Sequence, residues 1–244
     1  MKKALYIFIT FLLISCSKPS DCVDSTGNSV SKVISVASFD KIKVYNGIEL
    51  IITQGAIQKV EVVTGENLIS HIELKVENNT LILTDKTTCN WVREYGQTKI
   101  YVTAPNITDV ISKTEKNVSS NGILTYPIFR MQSLDLSDGA GTGDFYIQIN
   151  NTQVVVESNN VSNFYISGVT NNFISNFYEG QGKLEAANLK ANTISVFHRG
   201  AGDMILNPQT AIEGNIYSTG NVICKTQPAI INVIQHYQGQ LIFN

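Results

Sequence analysis

The chain has 244 residues, 43% of them hydrophobic and 16% charged, with 18 Lys and Arg against 20 Asp and Glu. That length supports a substantial core, and apolar residues spread along the whole chain exclude wholesale disorder. The mildly acidic balance and the lack of a basic stripe exclude a nucleic-acid surface.

Met1-Lys2-Lys3 is a short basic segment, and Ala4 to Ile14 is an apolar run of signal-peptide length, too short to span a bilayer. Leu13-Ile14-Ser15-Cys16 then fits a bacterial lipobox, with a small residue just before a cysteine. Residues 1–15 are thereby expected to be a signal peptide, Cys16 the lipidated residue and 16–30 a tether. Two acyl chains on one residue hold a protein stably at a membrane. The expected location is the cell envelope, as an outer-membrane lipoprotein facing either the periplasm or the cell surface. The alternative is an ordinary signal peptide that happens to contain Cys16.

Beyond the tether the sequence reads as short strands. Lys32 to Val36, Lys41 to Tyr45, Glu49 to Gln54, Lys59 to Thr64, Ile72 to Glu77, Leu81 to Asp85 and Lys99 to Thr103 alternate or are rich in β-formers. Asn46-Gly47 and Asn78-Asn79 punctuate them as turns, and Gly65 to His71 is the one plausible helical turn. Residues 31–105 are denser in charge than the C-terminal half and read as an antiparallel or mixed β section capping one end of a repeat array. The array is expected from about 106 to 244, with Ile107 to Ile111 beginning the regular coils. Whether 31–105 is a separate domain or the first irregular coils is left open by the sequence.

The run Ile42-Lys43-Val44, Asn46-Gly47-Ile48-Glu49-Leu50, Gln54-Gly55 and Val60-Glu61-Val62 resembles the opening of the head GIN domain family. Glu66-Asn67-Leu68-Ile69, Leu74-Lys75-Val76, Thr80-Leu81-Ile82 and the Gly-Asp pairs at 143–144 and 202–203 continue the likeness over roughly residues 30–244. One departure is Glu49, where the family's name-giving triplet has Asn. The resemblance implies a right-handed parallel β-helix and the company of auto-transporter adhesins, common as Bacteroidetes lipoproteins. It implies little about activity.

From Leu134 to Asn244 one short pattern recurs six times, aligned on Gly143, Ser162, Gly182, Gly202, Gly220 and Gly239 at steps of 19, 20, 20, 18 and 19 residues. After each corner come two apolar columns with one residue between them. The first is Phe145, Phe164, Leu184, Met204, Val222 and Leu241, and the second is Ile147, Ile166, Ala186, Leu206, Cys224 and Phe243. A repeat this short cannot bury its own apolar face and must stack on its neighbours. Period two within each repeat makes the stacked units strands. The fold expected is all-β: a β-solenoid, or parallel β-helix, with an irregular β N-terminal capping section.

Export would place Cys22, Cys89 and Cys224 where disulfides persist. Cys224 falls in an inward column and behaves there as a small hydrophobe. By elimination Cys22 is expected to pair with Cys89, with Trp91 covering the bridge. No Cys or His spacing suits zinc, and neither a metal nor a cofactor is expected.

Parallel β-helices include polysaccharide-degrading enzymes, whose sites put carboxylates side by side on consecutive coils. Counting three back from each corner puts Glu179 and Arg199 on adjacent rungs as one ion pair, while Asp144 and Asp203 are three coils apart. No two acids coincide on neighbouring rungs, so no catalytic residue is expected. The same count gathers Tyr178, His198, Arg199, Tyr217, His236 and Tyr237 before the corners of the last coils. Such a patch either stacks on sugar rings or a protein partner, or stacks on itself and merely stabilises the coils. The expected function is a non-catalytic envelope lipoprotein presenting a β surface to a glycan or protein ligand. A polysaccharide-degrading enzyme and a purely structural scaffold are the alternatives. Leu241 and Phe243 in the last coil leave room for a homo-oligomer that covers the solenoid's end.

Overall fold

The computed structural model describes residues 25–87, 98–136, 138–139 and 141–244. Cys16, Cys22, Cys89 and Trp91, with the anchor and disulfide expected of them, lie outside the described residues. In chain order the strands are β1 (Ser29–Ile34), β2 (Lys41–Tyr45), β3 (Ile48–Gln54), β4 (Lys59–Gly65), β5 (Ile72–Glu77), β6 (Thr80–Asp85) and β7 (Thr98–Ala104). They continue as β8 (Asp109–Lys113), β9 (Val118–Leu124), β10 (Ile128–Ser133), β11 (Phe145–Ser158), β12 (Phe164–Phe177) and β13 (Leu184–Glu185). The last are β14 (Leu189–His198), β15 (Met204–Leu206), β16 (Pro208–Ile216), β17 (Val222–Cys224), β18 (Ile230–Gln235) and β19 (Leu241–Phe243). The expected helical turn is a single 3-10 turn at Ile69–His71.

These strands form an all-β solenoid of about 6 turns. One parallel stack runs β6, β2, β8, β10, the second halves of β11 and β12, then β14, β16 and β18. The facing stack runs β7, β3, β9, the first halves of β11 and β12, then β13, β15, β17 and β19. At the N-terminal end β5 pairs antiparallel with β6, β4 with β7, and β1 with β4. These antiparallel strands are the irregular cap, and they cover edges that parallel coils would leave unpaired. The β5–β6 hairpin turns on Asn78 and Asn79, at φ 48° and 60°, the left-handed pair that a two-residue turn of this hand requires.

Parallel pairing is not confined to residues 106–244, because β2 and β3 are themselves rungs. The rung order also departs from chain order. β6 and β7 sit outside β2 and β3, and the chain then crosses back over them to lay down β8 and β9.

The two stacks enclose the core. The expected first column pairs rung to rung, Phe145 with Phe164, Phe164 with Leu184, then Met204, Val222 and Leu241. All but Leu241 are fully buried. Phe173, Ile194 and Ile212 face them from the other stack, equally buried. Each such side chain contributes roughly 1.5–3 kcal/mol by leaving water, but only because a neighbouring coil covers it. Cys224 is buried and unbridged, and burial pushes its thiol up to about 12. At the corners, a Cβ on Gly202 would collide with the Gly182 carbonyl of the coil before, so close stacking there selects glycine. Ser162, the one non-glycine corner, hydrogen-bonds through Oγ with Ser133 Oγ at 2.8 Å.

One buried cation fixes the loop between β10 and β11. Lys113 Nζ donates to the Leu134 and Gly139 carbonyls, each at 2.7 Å, and pairs with Asp138 Oδ1 at 2.8 Å. Lys43 pairs with the other Asp138 oxygen and lies 5.2 Å from the Tyr45 ring centroid. The two cations hold the Asp138 carboxyl well below the usual carboxylate range.

Candidate functional site

The corner acids have structural partners. Asp144 Oδ1 accepts from Asn163 N at 2.9 Å and Asn163 Nδ2 at 3.1 Å. Asp203 Oδ1 accepts from Asn221 N at 2.8 Å and Asn221 Nδ2 at 3.3 Å. Asn163 and Asn221 pass the pattern on, their Oδ1 atoms each accepting a backbone N–H of the next coil, from Lys183 and Gln240, at 3.0 Å. The Gly-Asp pairs are therefore the starts of two Asp/Asn ladders, Asp144–Asn163–Lys183 and Asp203–Asn221–Gln240, each tying three successive coils.

The expected Glu179–Arg199 pair does not form. Phe177 pairs with His198 and His198 with Ile216, so the residues after them, Tyr178, Arg199 and Tyr217, share a rung position. The turn before Gly182 holds one residue more than those before Gly202, Gly220 and Gly239. Gly180 lies within that turn at φ 92°, and counting back from the corner slips by one there.

With the register corrected, part of the expected patch comes together. Tyr178, Phe197, Tyr217 and His236 form a continuous run of rings, with centroid separations of 5.9, 5.5 and 4.1 Å. His236 lies flat on Tyr217 at 6°. Two of the polar tips are engaged: Tyr178 OH donates to Glu157 Oε1 at 2.9 Å, and His236 Nε2 lies 2.9 Å from Asn215 Oδ1. Arg199 and Tyr237 are exposed beside this run. His198 is the correction. It points inward, is fully buried against Phe177, and cannot belong to a surface patch. Burial pulls its imidazole down to about 4, against the Asp203 carboxylate and the Gly202 backbone, which both favour the charged form. Phe197, absent from the expected patch, is the ring that bridges Tyr178 and Tyr217.

A second surface is not among those expected from the sequence. Between the two inward columns lies one outward residue per coil. Pairing lines these residues up from Tyr101 and Ile51 through Ser119, Tyr146, Tyr165 and Glu185 to Ile205, Ile223 and Ile242. A solvated sheet face normally carries polar side chains at such positions, whereas this column is mostly aromatic and aliphatic. Tyr146 and Tyr165, 43% and 38% exposed, stack at 4.8 Å and 4°. Beside them opens a groove of about 520 Å³, with Ser119, Gln148, Ser167, Glu185 and Asn188 in its walls. The signal is present in the sequence as the residue between the inward columns.

The chain matches the family described as "Putative auto-transporter adhesin, head GIN domain" over residues 38–228. No curated protein matches it. Among solved structures it is similar to a putative adhesin from Bacteroides fragilis NCTC 9343, with TM-score 0.80 and 23% identity, covering 91% of this chain and 100% of that one. A putative adhesin from Parabacteroides distasonis ATCC 8503 superposes with TM-score 0.61 at 18% identity, covering 91% of this chain and 100% of that one. A structure named putative lipid binding protein from the same organism gives 0.62 at 13% identity, covering 90% and 99%. At these identities the structural likeness speaks to the fold alone, while the family match spans most of the chain. The chain belongs to the head GIN domain family.

Proposed function

We propose that the protein is an envelope-anchored adhesin, lipidated at Cys16 and held off the membrane by residues 16–30, whose solenoid presents its outward face to a glycan or protein ligand without catalysis. The observation that carries this reading is the outward column of aromatic and aliphatic residues centred on Tyr146 and Tyr165, since exposed apolar surface arranged in register is what a partner can cover. The ring run of Tyr178, Tyr217 and His236, with Arg199 and Tyr237 beside it, supplies a further contact surface. Binding is favoured over hydrolysis because the corner acids Asp144 and Asp203 are engaged with backbone amides of the next coil. The antiparallel strands β1, β4 and β5 serve as the cap and the parallel rungs, from β2 and β3 through residues 106–244, as the presenting array, a Cys22–Cys89 bridge fastens the tether to the cap, and self-association through the last coil covers its apolar residues.

The test uses the full chain in a lipoprotein-processing bacterium. The protein is expected in the outer-membrane fraction and Cys16→Ser in the soluble one. The purified full chain is expected to capture at least one ligand class on glycan and protein arrays. The reading is overturned by no capture on either array, or by new reducing ends released from a polysaccharide panel.

A further inference from the structure

We propose that the groove beside Tyr146 and Tyr165 is the ligand site, and that it takes an uncharged glycan chain. This deepens the adhesin reading and rests on it.

The first argument is the ring pair. The two tyrosines stack on each other, so each has one face turned away from the other. At the Tyr146 end the residue in register is Ser119, too small to cover a phenol ring. The apolar C–H face of a sugar ring fits such a surface, because an aromatic face carries partial negative charge and a C–H edge partial positive charge.

A second argument comes from the polar groups around the pair. Gln148, Ser167, Glu185 and Asn188 line the groove. Among the described residues their side chains make no hydrogen bond or ion pair with the protein. That contrasts with the Tyr178–His236 run, where Tyr178 and His236 are tied to Glu157 and Asn215, and with the corner ladder, where each amide has its acceptor. Amide, hydroxyl and carboxylate groups left unengaged beside an exposed aromatic pair match a ligand carrying hydroxyls on an apolar ring frame. A volume of about 520 Å³ lies within the ~300–1,000 Å³ range of clefts that hold small ligands.

Charge narrows the class. Among the described residues, Glu185 is the only carboxylate, amine or guanidine group in the lining, and no Lys or Arg is among the lining residues. A uronate, sulfate or phosphate on the chain would face that carboxylate with no cation to offset it, and like charges brought together across an interface are unfavourable. The groove is therefore selective for neutral hexoses and N-acetylhexosamines over acidic sugars.

The experiment measures binding of the detergent-solubilised full chain to an array of neutral hexose, N-acetylhexosamine and uronate oligosaccharides, with titration of the best neutral probe. Three variants are compared. Tyr165→Ala removes one ring. Ser119→Tyr extends the stack and covers the free Tyr146 face while deleting nothing, so it keeps the test valid if Tyr165→Ala unfolds. Glu185→Lys reverses the one lining charge. Folding of each is checked by circular dichroism. We expect a neutral probe to bind, at least tenfold weaker binding in Ser119→Tyr, and acidic probes to gain in Glu185→Lys. The proposal is overturned by no neutral oligosaccharide binding, by preference for uronates in the native chain, or by Ser119→Tyr binding within threefold of native. Capture on a protein array together with failure of every glycan would sink this inference while leaving the adhesin reading in place.

Discussion

Lys113 Nζ lies 2.8 Å from Asp138 Oδ1, with the lysine side chain 2% exposed and the aspartate 34%. A buried ammonium is tolerated only when its donors are met, and here the Leu134 and Gly139 carbonyls complete the set. These contacts tie the end of β8 to Leu134, Asp138 and Gly139, which follow β10. Lys113→Met is expected to destabilise the fold by roughly 2–4 kcal/mol, since it leaves two carbonyls without their donor and the Asp138 carboxylate with Lys43 as its remaining cation. Urea denaturation of the two proteins measures this. A loss below about 0.5 kcal/mol would show that the loop is held by other contacts.

Acid should act on stability in two separate windows. His198 has a folded value of about 4 against an ordinary 6.5, so the unfolded chain takes up its proton first as pH falls. Its contribution is intact above about 6.5 and is lost progressively down to about 4, a loss of about 3 kcal/mol. Asp138 has its folded value depressed, so its contribution is present above the ordinary 3.8 and is lost only as pH falls further. Denaturation midpoints across pH 7 to 3 should decline in both ranges. In His198→Leu the upper decline should vanish and the lower one remain; an unchanged upper slope would assign it to other groups.

Thiol counts test the cysteine assignments. Cys224 is buried and its thiol is pushed up to about 12, so if Cys22 and Cys89 are bridged and Cys16 is acylated the native mature protein should react with no thiol reagent in minutes. Unfolded without reductant, it should expose one thiol, Cys224, if Cys22 and Cys89 are bridged and Cys16 is acylated. Three reactive thiols under those conditions would mean that no bridge exists.

The corner ladder should be worth measuring one link at a time. Asp203→Ala leaves Asn221 N and Nδ2 without their acceptor and is expected to cost about 1–3 kcal/mol. Asp203→Asn keeps an acceptor and should recover most of that loss. Equal destabilisation by both variants would show that charge, not hydrogen bonding, is what the corner uses.

The Tyr178→Ala, Tyr217→Ala double variant separates the two roles of the ring run. Losing both rings that flank Phe197 should lower the melting temperature by several degrees, given ~0.5–1.5 kcal/mol per aromatic pair. Glycan and protein array signals should also fall if that surface touches ligand. A lower melting temperature with undiminished array signals would leave the run as a stabilising feature only.

The inward columns are legible because burial writes period two directly into residue type. Phe145, Phe164, Leu184, Met204 and Val222 align from the sequence alone, and the cap is visible as denser charge and hairpin turns. The rung order of β6 and β7 outside β2 and β3 is not legible, because parallel strands of similar composition do not announce which neighbour they choose. Residues near the corners mislead for a different reason. One extra residue in the turn around Gly180 shifts the count, so counting turns His198 outward where strand pairing sets it beside Phe177 and Ile216. Tyr146 and Tyr165 escape notice since an outward column shows only after the inward ones on either side are fixed.

The crossing of the chain over β2 and β3 has a consequence for assembly. In a solenoid wound in chain order, the first coil made is the end coil, and trimming from that end peels the stack one layer at a time. Here the earliest rung is flanked on one side by β6 and β7 and on the other by β8 and β9. Deleting residues 25–54 would open a gap inside the stack instead of shortening it, parting the capped end from the repeats. The N-terminal segment thus works as a keystone, put in place first by synthesis and locked only when strands from later in the chain close on both its sides.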